Sequence, residues 1–325
     1  MKSFKEVDFL EFAQYVSEKV YIAFNKYYRH KLLSGYASIN YEDNFENSVK
    51  SVHKIDRFVK EIITQALDER FTGYKDSINI YMEDFKVCDV SNPKCCIFID
   101  PVDGSRSADQ HIGDPCIMMA YSPKTDMHNL RFRDLESCFI KGLHSGDVYF
   151  TYYSKGYFIP NGYTYRLHDE KVTIDETFIL NPLKRIDNTS PITLGDSCVV
   201  VRDGYGMRSI VSNKVNHSIL NYVKHTFSYD ITGIELCYLA SGRDIIHILV
   251  EARSHFKDGK QVGSDGFNLI PYPLIKAVGG MLYTLEGEEL EHKHYNPYNI
   301  YDFVSTANDR LMKECINRGL IKAIF

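Results

Sequence analysis

The chain has 325 residues, 44% of them hydrophobic and 25% charged, with a formal net charge of −5. That length accommodates one large or two medium domains with substantial cores, and the charge leaves no electrostatic footprint for a nucleic acid. The N-terminus lacks the apolar core of a signal peptide and no window approaches the ~20 apolar residues that span a bilayer, so a soluble, cytoplasmic protein without membrane partners is expected.

Residues 4–28 read as an amphipathic helix, with Leu10, Ala13, Val16, Val20 and Phe24 at helical spacing. A second helix is carried by Ile55, Phe58, Val59, Ile62, Ile63, Ala66 and Leu67, with Asp56 near its start. A strand from Ser77 to Met82 runs into Glu83-Asp84, and another from Cys95 to Ile99 ends at Asp100. Residues 115–122 and 136–151 read as a strand pair that continues into Gly156-Tyr157-Phe158.

From 160 to 192 the pattern turns irregular and rich in Asn, Asp, Pro and Thr, which puts a boundary near 190 between halves 1–190 and 191–325. Beyond it strands and helices alternate. The expected strands are Cys198–Val201, Ile245–Val250 and Met281–Leu285, with Asn299–Thr306 leading into a final helix from Asp309. The expected helices between them are Val211–Phe227, Ile234–Ser241 closed by Gly242, and Asp265–Val278 stopped by Gly279-Gly280. Eight cysteines show no CxxC pairing and no zinc spacing, and read as reduced structural thiols.

Chemistry concentrates in Ile97-Phe98-Ile99-Asp100-Pro101-Val102-Asp103-Gly104-Ser105. An apolar strand runs into two carboxylates, and Pro101 is expected to stop the strand ladder and re-aim both side chains. Buried carboxylates need a counter-charge, and a hard divalent cation such as Mg²⁺ supplies one through oxygen ligands. The Gly-Ser that follows reads as a turn opening a helix, whose free N–H groups can face an anion. Glu83 and Asp265 also stand at element ends; taken singly, each is as readily a turn residue or a helix cap.

Asp100-Pro101-Val102-Asp103-Gly104-Ser105 resembles the DPxDG(T/S) signature of the inositol monophosphatase superfamily. Met82-Glu83-Asp84 is similar to its GEE element, with Met for the usual Gly, and Asp56 falls where the family has the acid of a helix start. Leu239-Ala240-Ser241-Gly242-Arg243 resembles a helix end of the family. Asp265 with Leu274-Ile275-Lys276-Ala277-Val278-Gly279-Gly280 resembles its C-terminal signature, and Val304-Ser305-Thr306-Ala307-Asn308 the approach to its last helix. The chain departs from the family at Ser264, where a Trp is usual, at Pro271 and Pro273, and in the polar run 106–115.

The resemblance implies an α/β (α+β) fold of layered αβαβα, sugar-phosphatase type, and Mg²⁺-dependent, lithium-sensitive hydrolysis of a small phosphomonoester. Inositol phosphates, sugar phosphates and nucleotide 3′-phosphates are the candidate substrates. It implies that Glu83, Asp100 and the main-chain carbonyl of Val102 hold one ion and that Asp100, Asp103 and Asp265 hold a second, with a third near Glu83. It pairs Ser105 with Asp56 to orient the attacking water, and sets the N–H groups of Gly104 and Ser105 on the phosphate. Arg106 is a candidate second contact to the substrate, and homodimers are common in the family.

The i, i+3 spacing of Asp100 and Asp103 argues against the covalent phospho-aspartate mechanism, which uses i, i+2, and no Gly-rich nucleotide loop is present. The alternative from another class is a non-catalytic phosphometabolite-binding protein that retains the fold.

Overall fold

The computed structural model describes residues 4–33, 59–83, 85–88, 90–104, 113–161, 163–174, 178–184, 193–202, 223–226, 231–242, 246–257 and 260–319. Helix α1 (Glu6–Leu33) is longer than the apolar spacing alone indicated, and α2 occupies 59–69. Strands β1 (Ile78–Met82), β2 (Phe85–Cys88), β3 (Cys95–Asp103), β4 (Cys116–Ser122), β5 (Ser137–Gly142), β6 (Val148–Tyr152) and β7 (Lys155–Ile159) form one seven-stranded sheet in the order β2-β1-β3-β4-β5-β6-β7. Only β1 and β3 run parallel; the other neighbours are antiparallel. The stretch read as one strand from 136 to 151 is two. β5 ends at Gly142 and β6 starts at Val148, with Asp114 accepting from the N–H groups of His144 and Ser145 in the turn between them.

Residues 160–192 are not wholly irregular. β8 (Tyr165–His168), β9 (Lys171–Ile174) and β10 (Phe178–Leu180) form a small antiparallel sheet. These strands of three or four residues are too short to display alternation above the turn residues around them.

A second main sheet has the order β12-β11-β13-β17-β16, built from β11 (Cys198–Arg202), β12 (His225–Thr226), β13 (Ile246–Glu251), β16 (Met281–Thr284) and β17 (Phe303–Thr306). Between its strands lie α3 (Thr232–Ser241), a hairpin of β14 (His255–Lys257) and β15 (Lys260–Val262), and α4 (Tyr272–Ala277), and α5 (Asp309–Asn317) follows the last strand. Most of the helix expected over Val211–Phe227 lies outside the described residues, and its last turn is replaced by β12, whose His225 pairs with Cys198. The helix expected over Asp265–Val278 is broken in two. Asp265 caps a 3₁₀ turn (Gly266–Leu269), and Pro271 and Pro273 start α4 afresh, as prolines do in a first turn.

Alternation along the strands stacks these parts into layers. Ile97 and Ile99 of β3 and Ile117 and Met119 of β4 pack with Phe9, Phe12, Val16, Ile63 and Ala66 of α1 and α2. The opposite face of the same strands, Cys96, Phe98, Met118 and Ala120, packs with Ile234 and Leu236 of α3, Leu274 and Ile275 of α4, and Val200, Leu249 and Leu282 of the second sheet. That sheet's far face, Val199, Ile248, Val250 and Val304, is covered by Leu311, Met312 and Cys315 of α5. The order is helix, sheet, helix, sheet, helix, which is the αβαβα layering expected. Among the described residues seven cysteines are buried thiols, and no helix is long and apolar enough to cross a membrane.

Candidate metal and phosphate site

β3 does not stop at Asp100. Its pairing with β4 runs Ile99↔Met119 and Asp100↔Met118, and then Asp103↔Cys116. Three steps along β3 match two along β4, so Pro101 and Val102 form a bulge. In a regular strand two residues three apart face opposite sides. Here both aspartates are paired with residues of one face, Met118 and Cys116, and so point together toward α3. The expectation that Pro101 ends the ladder is therefore corrected: the proline is absorbed in the bulge, and the ladder resumes at Asp103. Both carboxylates are buried.

Glu83 follows β1, and its N–H donates to the carbonyl of Ile99 at 3.1 Å. Met82 pairs with Ile99, so continuing the parallel register sets Glu83 beside Asp100. Val102 is buried within the bulge and packs toward α1.

Asp103 is fixed from across the layer. Its Oδ2 accepts from the N–H of Gly233 at 2.6 Å. The N-cap position of α3 is held by Ile231, whose apolar side chain makes no capping bond, so a carboxylate from another element does that work at the positive end of the helix. The approach requires glycine: a Cβ on Gly233 would stand 2.0 Å from Met118 Sδ and 3.0 Å from Asp103 Oδ2. Gly104, at φ +80°, turns the chain away beneath Ile231, and a Cβ there would meet Ile231 Cγ1 at 2.6 Å.

Asp265 comes from the other half of the chain. Its Oδ1 accepts from Phe267 N and Asn268 Nδ2, both at 3.1 Å, as an N-cap does. The following Gly266 carbonyl accepts from Tyr295 Oη at 3.2 Å, and the Tyr295 ring stands edge-on to Phe98 of β3, 5.1 Å between centroids. This aromatic contact brings the Asp265 turn against the strand that carries Asp100. Burial, assisted by the negative charge of Asp103, pushes the Asp265 carboxyl up to about 6 against the hydrogen bonds from Asn268 and Phe267. Cys116, opposite Asp103, is pushed well above the ordinary thiol range by burial first and by the charges of Asp103 and Asp100 after it.

The β3 register thus sets Asp100 and Asp103 on the α3 side, with Glu83 following β1 beside Asp100 and the Asp265 turn joined to Phe98 of the same strand through Tyr295. Among the described residues no three His, Cys, Asp or Glu side chains converge as a ligand cluster for a metal ion. The donors are nevertheless all oxygen, carboxylates with a strand-end carbonyl, and that is the chemistry a hard divalent ion takes. Asp56, Ser105 and Arg106 lie outside the described residues.

Sequence reasoning missed a second set of charges beside these acids. Arg202 ends β11 and Glu251 ends β13, directly paired across the sheet. Arg202 Nη1 reaches Glu251 Oε2 at 3.3 Å and Thr232 Oγ1, and its Nη2 reaches Glu235 Oε2. Arg253 holds Glu251 through two hydrogen bonds, Nε at 2.6 Å and Nη2 at 3.1 Å, and donates to Ser264 Oγ at 2.9 Å. The sequence signal was Glu235 in the otherwise apolar Ile234-Glu235-Leu236-Cys237, since a glutamate is almost never fully buried without a partner.

No family model matches the sequence, and no curated protein does. Solved structures do match. Inositol monophosphatase-II from Staphylococcus aureus superposes with a TM-score of 0.63 at 14% identity, over 96% of this chain and 93% of that one. That enzyme is also solved with 2′-AMP bound and with inositol monophosphate bound. The extragenic suppressor protein SuhB from Bartonella henselae gives 0.58 at 11% identity, over 94% and 96% of the two chains. An inositol monophosphatase–fructose 1,6-bisphosphatase gives 0.54 at 14% identity, over 81% and 82%. With its five layers and its bulged, acid-bearing third strand, the chain has the fold of the inositol monophosphatases.

Proposed function

We propose that the protein is a Mg²⁺-dependent phosphomonoesterase of the inositol monophosphatase superfamily, acting on a small phosphorylated metabolite. The observation that carries this reading is the β3 bulge, which turns Asp100 and Asp103 to one face, toward the Asp265 turn, in a chain with this fold. Glu83, Asp100, Asp103, Asp265 and the Val102 carbonyl would hold two or three ions. Bound there, Mg²⁺ supplies charge neutralisation on the phosphate and an acidified water.

The chain's own residues do the positioning. Asp103 is locked by Gly233, and Asp265 by its cap and by Tyr295. Gly104 and Ser105 would present N–H groups to the phosphate, Ser105 with Asp56 would orient the attacking water, and Arg106 would contact the substrate. Phosphates carried by a polyol, sugar or nucleoside are the substrate class, supported by neighbours solved with inositol monophosphate and 2′-AMP.

The test is phosphate release from a panel of such esters with Mg²⁺, by the wild type and by Asp100→Asn. Release that is lost in the variant supports the reading. Absence of release from every ester contradicts it and leaves the non-catalytic binding protein.

A further inference from the structure

The two sides of the proposed ion site are joined by a run of hydrogen bonds and main-chain links. Asp103 accepts from the Thr232–Gly233 peptide N–H, and Thr232 Oγ1 accepts from Arg202. Arg202 holds Glu251, Glu251 holds Arg253, and Arg253 donates to Ser264, the residue before Asp265. Glu235, in the first turn of α3, completes the set on Arg202.

We infer that Arg202, Glu235, Glu251 and Arg253 are positioning residues: a buried bracket that fixes the Asp103 and Asp265 sides of the proposed ion site relative to one another. The inference rests on the proposed function.

Three features carry it. The bracket is almost wholly dry, with the side chains of Arg202, Glu235 and Glu251 at 2%, 0% and 0% exposure. Two arginines and two glutamates buried together add little stability over an apolar core of the same volume, so their use lies in fixing geometry. The bracket also reaches across elements: from α3 over the paired ends of β11 and β13 to the segment after the β14–β15 hairpin. Finally, arginine forks constrain direction as well as distance: Arg253 holds Glu251 through two nitrogens while one of them also reaches Ser264. Groups that orient metal ligands from behind govern ion affinity by about 10–100-fold.

The test is calorimetric titration of the metal-free protein with Mn²⁺, which reads the site without turnover. Arg253 suits it because Glu251 still faces Arg202 after its loss. Arg253→Gln should weaken Mn²⁺ binding by about 10–100-fold, and Arg253→Lys should recover part of the loss. Ser264→Ala, which cuts the last link without removing a charge, should weaken binding by about 10-fold at an unchanged thermal midpoint of the metal-free protein; it carries the test if Arg253→Gln does not fold. A merely structural role would lower the midpoint and leave the Kd of the folded fraction alone. A wild-type Kd in Ser264→Ala, or in folded Arg253→Gln, overturns the inference and spares the proposed function. A wild type that binds no Mn²⁺ overturns both.

Discussion

Asp100 and Asp103 are three residues apart in a β-strand and yet face the same side of the sheet, because the bulge at Pro101 and Val102 takes up the odd step. One residue of slippage would return Asp103 to the opposite face and separate the pair. The proposed chemistry follows from that register.

Asp100→Asn keeps the shape of the side chain and removes its charge. If Asp100 holds an ion that stabilises transition-state charge by several kcal/mol, turnover should fall by about 100-fold or more, while thermal unfolding stays cooperative. Steady-state kinetics beside a melting curve checks both parts.

Gly233→Ala forces a methyl group against Met118 and the Asp103 carboxylate. Overpacking of this kind costs about 1–3 kcal/mol, and it also strains the 2.6 Å hydrogen bond that fixes Asp103. Urea unfolding should show the loss, and Mn²⁺ affinity should fall with it.

Arg202→Met takes the guanidinium away from the buried carboxylates of Glu235 and Glu251. Removing one partner of a buried ion pair costs about 3–5 kcal/mol. The double variant Arg202→Met/Glu235→Leu removes both partners of one buried pair and should be the more stable of the two, with Glu251 still held by Arg253. Chemical denaturation of both proteins makes the comparison.

Glu6, at the start of α1, is raised to about 6 from 4.5, chiefly by burial and against a hydrogen bond from the Tyr153 N–H. The folded protein therefore holds this proton more tightly than the unfolded chain does. Its contribution is fully present below about 4.5 and is lost as pH rises through 6. Glu6→Gln should raise the melting temperature relative to wild type above pH 6.5, and the gain should vanish near pH 4.

Much of this was legible in the sequence, because apolar periodicity survives in long elements: α1, β3, β4, α3 and the Asn308-capped α5 were all visible. Asp100, Asp103, Glu83 and Asp265 stood out as acids at element ends. What could not be read was long-range. The bulge is defined only against β4, so Pro101 looked like a strand end. The partners of Arg202 lie 30 to 49 residues away, and no local pattern announces them. The 3₁₀ turn after Asp265 was signalled by Pro271 and Pro273, yet the apolar run around them still read as one helix.

The most direct test of the central claim is phosphate release by the wild-type protein from inositol, sugar and nucleoside monophosphates, measured with Mg²⁺, after EDTA, and after Mg²⁺ is restored. The proposed site requires release that EDTA abolishes and Mg²⁺ recovers. Release that continues unchanged in EDTA, or no release from any ester with Mg²⁺ present, would contradict it.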